Sequence, residues 1–358
     1  MLLFLGGWGY RKNIKIFYEY FYCLLQPEQK MGERYVSCNI KGGLGNQLFQ
    51  IFATMAYGMR TGRQFRFHFT DRIGNRAGYW HSFLKGLENY KINQNDFLYL
   101  FHYSEKTKIH QEPSYSYSEI PEYSEFTNVL LDGYYQSRNY FAGYEKEIME
   151  LLWGNRLAIG RMGGPTNIPR IGMHFRIGDY KHIQHCHPVM ATSYYTKALT
   201  ECLKNHGYYL DASQWKEMVE KVHGKEVGKI GEVLYLCEDS DIWDVEVHLS
   251  VLREMFPYLS FRRGVVEIGV GERECDRDWK EMVLLSGCDW FVIPNSTYSW
   301  WAATISSLMP PPAATEKSIA YIERGPVWVY YPSIWFGPYL VGTHDTQDLL
   351  NQEGWKSI

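Results

Sequence analysis

The 358-residue chain has no CxxC pair, no polybasic block and no long uninterrupted apolar run. Each absence excludes something. The seven cysteines (Cys23, Cys38, Cys186, Cys202, Cys237, Cys275 and Cys288) are scattered and odd in number. That argues against a disulfide framework and for a reducing compartment. Net charge is only −3, so nucleic-acid binding by phosphate neutralisation is not expected. A single nucleotide needs only one or two well-placed donors and stays open. Nothing approaches the roughly 18 consecutive apolar residues that span a bilayer. Residues 1–26 are apolar and aromatic, but Arg11, Lys12, Lys15 and Glu19 interrupt them. Without a charged leading region they make a poor signal peptide. Residues 1–30 read as an N-terminal extension, a packing segment or a peripheral membrane contact, with Met31 as an alternative start. The expected location is the cytoplasm or the cytoplasmic face of a membrane. No internal repeat is visible.

What is present describes a globular protein. Apolar residues make up 45% and charged residues 22%, the balance of an ordinary folded chain. Aromatics reach 16%, with 29 Tyr and 12 Trp. Their rings are apolar and their OH and NH groups polar, which suits both a core and a sugar-facing cleft. The length predicts two domains.

Hydrophobic spacing gives their class. "YVSCNI" (Tyr35 to Ile40) predicts a buried strand, "GGLGNQ" a turn, and apolar residues at Leu48, Ile51, Phe52, Met55, Ala56 and Met59 a helix stopped by Gly62. "QFRFHF" alternates as a strand. Residues 71–128 read as irregular, with long loops and short helices. After a Gly- and Pro-rich linker at 160–170, strands and helices alternate again to residue 308, with an inserted surface helix and loop at 208–229. The expectation is an α/β chain of two Rossmann-like domains, 31–165 and 166–358, facing a cleft. Ligands of such sheets sit beyond the carboxyl ends of the strands.

The chemistry-bearing segments fall at those ends. In "GGLGNQ", Gly42, Gly43 and Gly45 let backbone approach a ligand, and the helix start offers N–H groups to an anion. Asn46 and Gln47 add amides, although an Asn N-cap explains Asn46 equally well. Leu48 stands where a dinucleotide fingerprint requires glycine, and no GK[ST] follows. In "HFRIGDY", His174 and Arg176 share one strand face, and an arginine there can clamp a phosphate bidentately. A strand-capping Arg176–Asp179 ion pair is the alternative. "CEDSD" offers Asp239 to a base or ribose, and includes the DxD form of metal-dependent transferases, as does "DRD" at Asp276 to Asp278. Asp241 there is also a helix N-cap candidate. In "PNSTYSWW", Asn295, Ser296, Thr297 and Ser299 crowd a helix start, more polar groups than capping needs. "KHIQHCHP" gathers His182, His185, Cys186 and His187 without the spacing of an established zinc site. An acceptor-site loop or a solvated loop explains it better.

Taken in order, "GGLGNQLFQ", "GYYQSRNYF", "GMHFRIGDY", "SYYTKAL", "LYLCEDSDIW", "WKEMVLLSGCD" and "NSTYSWWAA" resemble the α-1,2-fucosyltransferases of glycosyltransferase family 11, over about residues 35–335. The resemblance implies a GT-B-like fold, GDP-L-fucose as donor, inversion at the anomeric carbon, a galactose-containing glycan acceptor and no metal. It places Arg176 on the diphosphate, His174 and Asp239 on the guanine, Ser296 and Thr297 on phosphate, and Asn46 near the reacting centre. Asn295, Ser299, Gly42, Gly43, Gly45 and Gln47 complete the donor site, and Asp179 is the candidate base. The chain departs from the family's HxRRGDY at Ile177, where a second arginine is usual. A related protein-fucosylating group has the same single-arginine form. A metal-dependent DxD transferase and a non-catalytic nucleotide- or glycan-binding protein are the competing expectations.

Overall fold

The structure is a computed structural model describing residues 34–154, 168–221, 228–308, 326–341 and 346–358. The predicted extension at 1–30, Met31 and most of the predicted linker at 160–170 lie outside them.

The first sheet begins with β1 (Tyr35–Cys38), buried on both faces as parallel strands are. The glycine turn leads into α1 (Leu44–Thr61), buried along nearly its whole length. It stops at Gly62, which adopts the left-handed conformation (φ 64°) that only glycine takes without cost. β2 (Gln64–Phe65), β3 (Thr107–Gln111) and β4 (Asn128–Asp132) complete a parallel sheet of order β2-β1-β4-β3. Helix α2 (Glu145–Trp153) closes this half.

The second sheet holds β5 (Arg170–His174), β6 (Gly231–Leu236), β7 (Leu259–Arg263), β8 (Trp290–Val292), β9 (Trp328–Tyr331) and β10 (Trp355–Ser357). All are parallel, in the order β7-β6-β5-β8-β9-β10. Helices α3 (Thr192–Asn205), α4 (Ala212–Lys221), α5 (Ile242–Met255), α6 (Asp276–Ser286) and α7 (Thr297–Leu308) lie between strands. Within this half the strands run third, second, first, fourth, fifth, sixth. That is the doubly wound Rossmann order, whose direction reverses between β5 and β8. The expected α/β class and its two parallel sheets are borne out.

α7 joins the halves. Trp300 and Trp301 are fully buried, and Phe49 of α1 lies 4.6 and 5.1 Å from their ring centres. Phe52 lies tilted against Trp301, with ring centres 4.5 Å apart. One apolar cluster therefore runs from the first sheet's helices into the second sheet.

Three expectations need correction. Residues 71–128 are not wholly irregular, since β3 pairs with β4 along the sheet edge. The sequence reading also stops short of β9 and β10. The helix after the glycine turn begins at Leu44, so Gly43, not Asn46, takes the N-cap position. No helix among the described residues is long and apolar enough to cross a membrane.

Candidate functional site

A cleft of about 1210 Å³ opens where β5, β6 and β8 end, and both halves line it. It lies at the point where the strand order reverses, the place at which open α/β sheets take ligands. The glycine turn and Arg76 face it from the first half, and His174, Arg176, Asn295, Ser296 and Thr297 from the second. Residues far apart in sequence thus meet at one site.

Arg176 leaves β5 with its side chain 16% exposed. It pairs with Glu238 and with Asp179 (2.5 Å) and lies 4.9 Å over the Tyr180 ring. Tyr180 donates to the Asn295 carbonyl at 3.1 Å, linking this arginine to the segment that starts α7. The strand-capping ion pair and the cleft-facing position therefore coexist. His174 is 7% exposed, and its ring lies 5.3 Å from Tyr298. Burial, reinforced by neighbouring Arg176, pushes its pKa down to about 3, so the imidazole is neutral at ordinary pH.

The glycine turn meets α7 directly. A side chain on Gly45 would lie 2.6–2.8 Å from Thr297 backbone and hydroxyl atoms. Glycine here permits close helix-to-helix approach while also lining the cleft. Asn46 Oδ1 accepts from Thr297 Oγ1 (2.9 Å) and from Gln136 Nε2 (3.0 Å). Gly42 has φ +85°, which accounts for glycine at that position. Gly43 lines the cleft with open space around it.

Two predicted donor residues do not line the cleft. Gln47 is fully buried and donates to the carbonyls of Gly42 (3.0 Å) and Ala77 (2.8 Å), pinning the turn. Ser299 is fully buried and donates to the Ser296 carbonyl at 3.3 Å. Asn295 is 2% exposed and donates to the Trp335 carbonyl at 2.9 Å, while its Oδ1 has no hydrogen-bond partner among the described residues. Asp239 lines the cleft but is held by Arg263 and by Arg277 (3.2 Å). Asp241 does not cap its own helix. Its Oδ2 accepts from the Gly178 N–H at 2.7 Å, because the turn after β5 comes closer than the helix start.

Sequence reasoning missed Arg76, Arg277 and Glu281. Arg76 comes from a two-residue hairpin rung (Arg76–Ala77) and reaches Asp179 across the cleft at 3.4 Å. Glu281 lines the cleft from α6 without a hydrogen-bond partner among the described residues. Burial pushes its pKa up to about 7, against the lowering effect of Arg277 and Arg263. Arg277 and Glu281 stand one turn apart on α6, and both line the cleft. Further bonds cross the cleft from Tyr79 to Asp278 (2.6 Å) and from Ser82 to Asp276 (2.5 Å). His187 lines the cleft and stacks on Tyr180 at 5.0 Å. Among the described residues no group of three or more His, Cys, Asp or Glu side chains could hold a metal ion.

No protein-family model matches the chain, and no curated protein matches it. Among solved structures it resembles a mutant of Arabidopsis thaliana FUT1 in complex with GDP (12% identity, TM-score 0.42, 83% of this chain and 76% of that one). It also resembles the fucosyltransferase NodZ from Bradyrhizobium (13%, 0.36, 77% and 94%). A third is POFUT1 in complex with GDP-fucose (16%, 0.36, 75% and 93%). Likenesses this distant carry no argument.

Proposed function

We propose that the chain transfers L-fucose from GDP-L-fucose to a glycan hydroxyl, O2 of a galactoside, with inversion at the anomeric carbon. One observation carries this reading: Arg176 and the Ser296–Thr297 start of α7 line the same cleft at the strand-order reversal. A helix start presents N–H groups without intrahelical partners, and its dipole favours an anion. With Arg176 it gives a metal-free seat for a diphosphate. The ordered family-11 motifs supply the identity of the sugar.

In transfer, the bond from the anomeric carbon to the phosphate oxygen breaks and its electron pair goes to GDP. The acceptor oxygen bonds the opposite face of that carbon and releases its proton. Arg176 and the α7 start stabilise the charge growing on GDP, a contribution of the oxyanion-hole kind. At the other end, we assign the guanine edge to Glu281 in place of Asp239. Its carboxylate accepts no hydrogen bond among the described residues, whereas Asp239 is occupied by two guanidiniums. Ring N–H and amino donors of guanine suit a carboxylate acceptor. Asp179 shares its oxygens between Arg176 and Arg76, so we assign it to the clamp and name no general base. A fucosyl oxocarbenium forms readily, and proton loss to water or the departing phosphate suffices. Tyr115 and Tyr134, stacked at 5.6 Å on the first-half wall, offer a sugar-facing surface for the acceptor.

We expect no metal. The carboxylates of both DxD segments already accept protein donors, Asp239 and Asp241 as described, Asp276 from Ser82 and Asp278 from Tyr79. A second reading, nucleotide binding without transfer, draws on the internal neutralisation of Arg176 by two carboxylates. The deciding experiment is an acceptor screen with labelled GDP-fucose, GDP-mannose as the competing donor, and EDTA throughout. Label on galactosides supports the proposal. GDP binding with neither transfer nor hydrolysis supports the second reading, and activity abolished by EDTA supports a DxD enzyme.

A further inference from the structure

The cleft has a cationic arm from its opposite wall. Asp179 Oδ1 accepts from Arg176 Nη2 at 2.5 Å, and Asp179 Oδ2 accepts from Arg76 Nη2 at 3.4 Å. One carboxylate thus spans two guanidiniums, one from each half of the molecule. That is the posture of an anion held between two forks, with the protein's own side chain as the anion. Ile177, where the resemblance expects a second arginine, is 3% exposed and packs in the second-half core, so position 177 presents nothing to the cleft.

Arg72, on the same hairpin as Arg76, also lines the cleft, and the two remaining cleft arginines are committed. Arg277 holds Asp239 and Glu274, and Arg273 holds Asp276 and the Gly78 carbonyl. Among the described residues the side chain of Arg76 has Asp179 as its one hydrogen-bonding partner, at the long end of the range. Both members of that pair are about half exposed, at 45% and 49%, and exposed ion pairs contribute little. The hairpin carrying Arg76 turns at Gly74 (φ +61°) and pairs through Arg72–Ala77 and Ile73–Arg76 alone.

Resting on the nucleotide-sugar reading above, we propose that Arg76 is a second diphosphate-binding cation, supplied by the first half. A diphosphate entering beside Arg176 displaces Asp179, and Arg76 transfers from that carboxylate to a phosphate oxygen. The hairpin is thereby drawn over the donor. The charge missing at position 177 is replaced from across the cleft.

The test is calorimetric titration of the full chain, as wild type, Arg76→Ala and Arg76→Lys, with GDP and with guanosine. The expected result is about tenfold weaker GDP binding in Arg76→Ala, the size of one lost charged hydrogen bond, with partial recovery in Arg76→Lys. Guanosine affinity stays unchanged, because it carries no phosphate. A melting temperature within a degree or two of wild type verifies the fold. Unaltered GDP affinity in Arg76→Ala overturns the inference while leaving the nucleotide reading intact. Equal losses for GDP and guanosine also overturn it, since Arg76 then acts only by holding the hairpin. A wild-type chain that binds neither ligand overturns the nucleotide reading itself.

Discussion

Two glycines at the start of α1, Gly43 and Gly45, are set up to respond differently to the same added methyl group. At Gly45 an alanine Cβ would sit 2.6 Å from the Thr297 carbonyl carbon and 2.7 Å from its oxygen. Carbon contacts are comfortable at about 3.5–4.0 Å, so α1 and α7 must separate by close to 1 Å. The obstacle is backbone and cannot rotate away. Overpacking of this kind costs about 1–3 kcal/mol. For a domain of this size each kcal/mol lowers Tm by about 2–4 °C, so Gly45→Ala melts about 2–12 °C early. It also stretches the Asn46–Thr297 hydrogen bond at the cleft floor, so GDP binding weakens with it. Gly43 is the control, with φ −75° and no atom near its would-be Cβ. Gly43→Ala meets no atom and loses only the N-cap preference, about 0.5–1 kcal/mol. Differential scanning fluorimetry of the two variants, with and without GDP, measures both effects. Equal melting temperatures for Gly45→Ala and wild type would refute the helix-approach argument.

Other expectations follow from the same geometry. Glu281 has a folded pKa of about 7, above its unfolded value. The native state therefore holds the extra proton between pH 4.5 and 7, and stability falls as pH rises through that window. Glu281→Gln should raise Tm relative to wild type at pH 8 and not at pH 4. The same variant should lose affinity for GDP but not for ADP, whose base lacks the paired N–H donors; equal loss for both nucleotides would count against the base-reading role. Trp301→Ala, at the fully buried joint between halves, should cost about 3–5 kcal/mol by urea unfolding. Transfer activity should survive EDTA, measured as label on the acceptor.

The strong helical spacing of α1, the β5 and β8 runs and the polar crowding before α7 were legible because each is a local pattern with one physical meaning. β3 was not legible. Its sequence, Thr107–Gln111, is polar and half exposed at a sheet edge, so no apolar alternation marks it. β10 is three residues long and equally silent. The turn reads as a backbone approach to a ligand; the positive φ at Gly42 and the helix from the other half against Gly45 appear only in the fold. Gln47 and Ser299 carry the same lesson: polar residues beside a ligand-facing segment can be spent on carbonyls of their own turn. Arg76 and Glu281 depend on which hairpin and which helix face arrive at the cleft, and chain order does not encode that simply.

The most direct test of the diphosphate seat is single-turnover transfer from labelled GDP-fucose to a galactoside in EDTA, comparing wild type with Arg176→Ala. The expected rate in the variant is lower by about 10²-fold or more, the loss of one transition-state donor. A variant rate within about twofold of wild type would contradict it.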